Sequence, residues 1–158
     1  MRKKLRVMGL ILVAPMLASA SLSAQTVAPR APAAFVGCYK IALGAWSRTV
    51  NAPEFHAIPA TFRLDTAAAS HGGWKASPDI AYPYPSRVAG SPRWTVVAQD
   101  TVEIVWSNGF QATTLRLGRY GDWELRGRAG VWSDANEYGT DLPRADVVAE
   151  RVVCAPSR

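Results

Sequence analysis

From Phe35 onward, apolar and polar positions alternate with a period of two, and no stretch keeps helical spacing for more than a turn or two. In residues 35–43, Phe35, Gly37, Tyr39, Ile41 and Leu43 share one side of a first strand, with Val36, Cys38 and Lys40 on the other. Residues 60–65 set Phe62 and Leu64 against Thr61 and Arg63. Residues 93–99 put Trp94, Val96 and Ala98 on one face, and residues 101–107 group Val102, Ile104 and Trp106 opposite Glu103. Asn108-Gly109 leads into a strand over 110–117; it is a strong hairpin signal because both residues tolerate positive φ. Tyr120-Gly121 precedes a strand over 122–131, in which Trp123, Leu125, Gly127 and Ala129 oppose Glu124, Arg126 and Arg128. A last strand covers 146–154.

Successive strands joined by turns this short run antiparallel, since parallel neighbours need a crossover of a dozen or more residues. The fold class is therefore all-β, an up-and-down meander of seven or eight strands. Such a ribbon either exposes its edges or curls closed, and closure into a small barrel removes the edges. The two cysteines, Cys38 and Cys154, fall near the two ends of the pattern. A disulfide between them requires the first and last strands to be neighbours, as they are in a closed barrel. In the chain-entropy picture, a bond enclosing so long a loop contributes roughly 4 to 5 kcal/mol. The alternatives are a β-sandwich with an end-to-end bond, and two unpaired buried thiols.

The N-terminus changes the picture of charge and compartment. Arg2, Lys3, Lys4 and Arg6 precede an apolar run over 7–17 and small residues up to Ala24, the layout of a secretory signal peptide and too short for a membrane span. Residues 1–24 are thus expected to be a signal, 25–34 a Pro/Ala linker carrying Pro29 and Pro32, and 35–158 a single domain. The formal charge of +6 is mostly the signal's: without it, 14 Lys and Arg face 12 Asp and Glu. The remaining arginines are scattered, so the clustered basic face of a nucleic-acid binder is missing. The expectation is an exported protein, periplasmic or secreted, with no stable membrane insertion after signal cleavage.

Candidate chemistry is sparse. His56 and His71 lack the spacing of a metal site, no nucleophile elbow occurs, and no thiol remains once the cysteines pair. Asp122 and Glu124, two residues apart beside a turn, are the one carboxylate pair considered for acid–base work. Residues 66–92 predict a long irregular segment, of the kind that forms lids or binding loops. Trp74, Tyr82 and Tyr84 in it are placed at the mouth of the barrel, the alternative being a poorly ordered surface loop, and 133–144 either lines the same rim or is simply solvated. Trp94, Trp106 and Trp123 are expected to point inward with Phe62, where large rings fill the interior and Gly127, Ala129, Ala98 and Ala112 leave room. No catalytic role, cofactor or metal is expected.

Gly37-Cys38-Tyr39 on the first strand, taken with Arg151 on the last, resembles the lipocalin and wider calycin barrels. Their first strand carries G-x-W, whose ring packs beneath a C-terminal arginine or lysine; here Tyr39 stands in the tryptophan's place. The resemblance implies an eight-stranded cup that carries a small apolar molecule, in which Gly37, Tyr39 and Arg151 are structural. The functional expectation is a non-catalytic ligand-binding barrel, with Trp74, Tyr82, Tyr84, Trp94, Trp106 and Trp123 as ligand contacts. The alternative is a solid-cored structural or protein-interaction module of the cell envelope.

Overall fold

The computed structural model of the protein describes residues 32–51, 57–79, 92–107, 109–134 and 138–155. The expected signal, most of the linker, His56, Tyr82 and Tyr84 lie outside the described residues. Eight strands follow one another: β1 (Gly37–Leu43), β2 (Thr61–Ala68), β3 (Trp74–Pro78), β4 (Arg93–Ala98), β5 (Thr101–Ser107), β6 (Gln111–Tyr120), β7 (Glu124–Ser133) and β8 (Arg144–Val152). Each pairs antiparallel with the next and β8 returns to β1, so the sheet closes into a barrel and the sandwich alternative falls. Tyr39 lies opposite Arg151 in the closing pair, and the Cys38–Cys154 disulfide fastens the same junction across a sequence separation of 116 residues.

The alternation that predicted the strands also sorts the core. Tyr39, Phe62, Leu64, Ala76, Trp94, Val102, Ile104, Trp106, Leu115, Leu117, Leu125, Ala129, Val147 and Ala149 are buried together inside the barrel. Each large apolar side chain there contributes about 1.5 to 3 kcal/mol by leaving water. Tyr39 stacks on Phe62 with centroids 5.3 Å apart, and Phe62 meets Trp106 edge to face at 6.2 Å. Trp94 contacts Phe35 at 6.4 Å and Trp74 at 4.8 Å. These are favoured ring geometries, and the rings come from β1 with the turn before it, β2, β3, β4 and β5, while β7 and β8 supply the small residues Gly127, Ala129, Ala145 and Ala149.

Several expectations change. The segment 66–92 is not irregular throughout: β2 runs on to Ala68, and Trp74–Pro78 forms a strand of its own, β3, paired with β2 from Phe62↔Pro78 to Ala68↔Trp74. The final residues of the linker are not an unpacked tether, because 32–35 form a turn in which Phe35 N–H bonds the Pro32 carbonyl at 3.1 Å and the Phe35 ring is buried. Ala98 is exposed, and Ala112 alternates with the inward Thr113, so it lies on the opposite face of β6. Phe110 lies before β6, which begins at Gln111, and Gly109 has φ +95°.

Strand direction gives the barrel two distinct ends. The base carries the turn before β1, the β2–β3, β4–β5 and β6–β7 turns, and the end of β8. The mouth carries the four other connections, and two of these are tied together. Tyr138, buried, accepts a hydrogen bond from Asn51 N–H at 3.0 Å and donates to the Asn51 carbonyl, while Arg48 pairs with Asp141 at 3.4 Å.

Candidate functional site

Of the predicted ligand residues, the four described ones, Trp74, Trp94, Trp106 and Trp123, do not form one site. Trp94 and Trp106 are fully buried in the core, held there by β4 and β5. Trp94 Nε1 donates to the Asp65 carbonyl at 3.0 Å, a bond placed by the irregular register of β2 between Leu64 and Ala68. Trp106 Nε1 is buried with no hydrogen-bond partner among the described residues. Trp123 precedes β7 in the Gly121–Trp123 turn and is 73 % exposed, so it is not an inward ring. Its parity matches the inward positions of β7, but the barrel wall ends one residue later. Trp74 opens β3 at the base, the end opposite the one from which the 79–92 connection departs, and therefore does not guard the mouth with Tyr82 and Tyr84.

At that base position Trp74 forms one wall of a cleft of about 430 Å³. Ala68, Ala69, Gly72 and Gly73 of the β2–β3 hairpin line it on one side, and Thr95 and Val96 of β4 on the other. Gly73 makes the arrangement possible. Its φ is +72°, and a Cβ there would lie 2.4 Å from the Trp94 carbonyl oxygen, so no other residue lets the hairpin come this close to β4. Behind the cleft, the Trp74 ring rests tilted on Trp94, which fixes it against the core. No charged side chain lines the cleft, and Thr95 supplies its one hydroxyl. The cleft suits an uncharged, mostly apolar molecule whose flat face lies on the indole. His71-Gly72-Gly73-Trp74 was visible in the sequence; Thr95 and Val96 were not, because joining them to it needs the β3–β4 pairing.

Two other clefts differ in chemistry. One of about 420 Å³ near the mouth is lined by Arg128, Arg144, Asp141 and Asp146 among others, with Arg128 paired to Asp146 at 3.5 Å. Another of about 320 Å³ lies beside Cys38 and Arg63 on the outer wall. Neither contains an aromatic wall free of charge.

The base is plugged by Tyr39, Arg151 and the turn before β1. Tyr39 Oη donates to the Phe35 carbonyl at 2.8 Å and accepts from Arg151 Nη2 at 2.9 Å; the same nitrogen donates to the Ala34 carbonyl at 2.7 Å. Burial pushes the Tyr39 hydroxyl above its ordinary pKa, and the Arg151 guanidinium opposes that shift without reversing it. The neutral hydroxyl is the form that donates to Phe35. Gly37, at φ +150°, lies under the guanidinium, where a Cβ would make ordinary contact with Arg151 Nη1 at 3.4 Å. The expected structural roles of Gly37, Tyr39 and Arg151 thus have a geometry.

The carboxylate pair does not assemble as an acid and base. Asp122 bonds Arg119 at 3.1 Å, and Glu124 is held by Arg126, which keeps its pKa below the usual carboxylate value. His71 is exposed and bonded to Ser70 Oγ at 3.0 Å. Among the described residues, no three His, Cys, Asp or Glu gather as a metal site. Compared with protein families, curated proteins and solved structures, the chain matches none, so the closed eight-stranded antiparallel barrel is the level at which it is classified.

Proposed function

We propose that this chain is an exported, non-catalytic barrel that binds a small, uncharged, largely apolar molecule. The observation that carries the reading is the open cleft of about 430 Å³ beside Trp74, bordered by an indole and small hairpin residues without a charged group. The Cys38–Cys154 bond supports folding in an oxidising compartment. The lipocalin and calycin resemblance supports a carrier role by analogy, through the Gly37–Tyr39–Arg151 plug. Relative to the cup that resemblance implies, the binding position moves from the ring-filled interior to the base.

The test is a titration with the neutral dye N-phenyl-1-naphthylamine, reading dye emission and tryptophan quenching. Saturable binding is expected, weakened at least tenfold by Trp74→Ala. Ala68→Arg, at an exposed position lining the cleft, is expected to weaken it similarly while leaving the fold intact. Absence of saturation, or affinity unchanged in both variants, overturns the reading. That outcome would favour the second reading, a solid-cored interaction module, whose supporting observation is the packed set of Tyr39, Phe62, Trp94 and Trp106.

A further inference from the structure

The base of the barrel carries an apolar surface that neither the core nor the Trp74 cleft uses. Trp123, at the tip of the β6–β7 turn, is 73 % exposed and Val153 is 96 % exposed, while Tyr120, 60 % exposed, carries the Arg126 guanidinium 3.7 Å from its ring centroid. Arg151 N–H bonds the Trp123 carbonyl at 2.7 Å, so the turn tip and the Val152–Val153 end of β8 are adjacent. Folding gives no reason for the indole to be there, since Gly121, at φ +70°, supplies the conformation the turn demands.

We propose that this patch docks the folded protein peripherally on a phospholipid bilayer, with Trp123 and Val153 entering the headgroup region. Three features favour lipid over a shaped protein partner. Tryptophan and tyrosine beside exposed valines are the side chains that partition to a membrane–water interface. The patch protrudes as a turn tip and a strand end, whereas anchors between proteins sit in fitted pockets.

The third feature is where the chain enters the barrel. Arg151 holds the Ala34 carbonyl, and Cys154 is bonded to Cys38, so the N-terminal segment joins the domain beside Val153. Positions 18–31 reach at most about 50 Å in any conformation. While the apolar run at 7–17 is held in a membrane during export, the base is the end at which its tether joins the domain; this step takes that run to be the export signal. Arg119 is paired with Asp122, and Arg126, which also lies over the Tyr120 ring, is paired with Glu124, so the cations beside Trp123 are matched and the indole drives the contact.

The experiment uses the chain from Gln25 to Arg158, oxidised, with large vesicles of pure phosphatidylcholine and of phosphatidylcholine containing about one-third phosphatidylglycerol. Co-sedimentation with both, and a blue shift of tryptophan emission, are expected. Trp123→Ser combined with Val153→Ser should lower the partition coefficient at least tenfold. Leu43→Ser, an exposed apolar residue at the mouth end, should leave it unchanged. No partition, or partition insensitive to the double substitution, overturns the proposal. Binding to anionic vesicles alone also overturns it, since that would be an adventitious charge effect. Dye binding at Trp74 is read separately in solution, so failure here is distinguishable from failure of the ligand reading.

Discussion

Two indoles inside the barrel differ by one hydrogen bond. Trp94 satisfies its N–H on the Asp65 carbonyl, whereas Trp106 has no partner among the described residues. A buried unpaired donor costs about 1 to 3 kcal/mol, which offsets part of what the Trp106 ring contributes by packing on Phe62. Trp94→Phe removes a donor that is used and strands a carbonyl; Trp106→Phe removes one that is not. Urea unfolding should therefore show Trp94→Phe to be the more damaging change by about 1 kcal/mol or more. The reverse order would mean that Trp106 has an acceptor in solution. Of this, burial of both rings was legible from their place on alternating strands. Their hydrogen bonding was not, because the Asp65 carbonyl reaches Trp94 through a register irregularity that no local pattern encodes.

Among the elements, β3 is the weak member of the closure. β6 and β7 pair along their full ten-residue lengths, while β3 and β4 meet only at Trp74↔Trp94 and Lys75↔Arg93, with one further bond from Ala76 N–H to the Pro92 carbonyl. Amide exchange should be fastest in this seam and slowest in the middle of β6 and β7, measured by mass spectrometry on the oxidised protein. Equal protection in both places would contradict the short pairing. The same weakness explains why β3 escaped the sequence reading: Trp74, Lys75, Ala76, Ser77 and Pro78 include one large apolar residue, follow two glycines and end in proline. The turns at Gly109 and Gly121 were legible because positive φ selects glycine, and the strands beside them alternate clearly. Alternation reports a face and not where a strand stops, which is why Trp123 was placed inside. It also carries no strand direction for a segment read as loop, which is why Trp74 was assigned to the wrong end.

For the whole molecule, the junction of β1 with β8 brings the longest sequence separation under covalent control. Loss of the bond in a Cys38→Ser, Cys154→Ser double variant should lower stability by about 4 to 5 kcal/mol, read from urea unfolding as a lower midpoint with a steeper slope, since the uncrosslinked denatured chain exposes more surface. A shift under about 1 kcal/mol would mean that the β1–β8 ladder and the Arg151 plug hold the closure unaided. The closed barrel and its disulfide were legible from two cysteines at the ends of a meander. The position of the apolar cleft was not, since it depends on which strands become neighbours around the ring.

That sulfur link also makes the domain a covalent hoop. A protease cutting the chain in any of the four mouth connections, 44–60 or 134–143 for instance, severs the backbone without creating two separable pieces, because Cys38 remains joined to Cys154 across the cut. Damage at the mouth is thereby uncoupled from loss of a fragment, and the base keeps both of its chain ends in register.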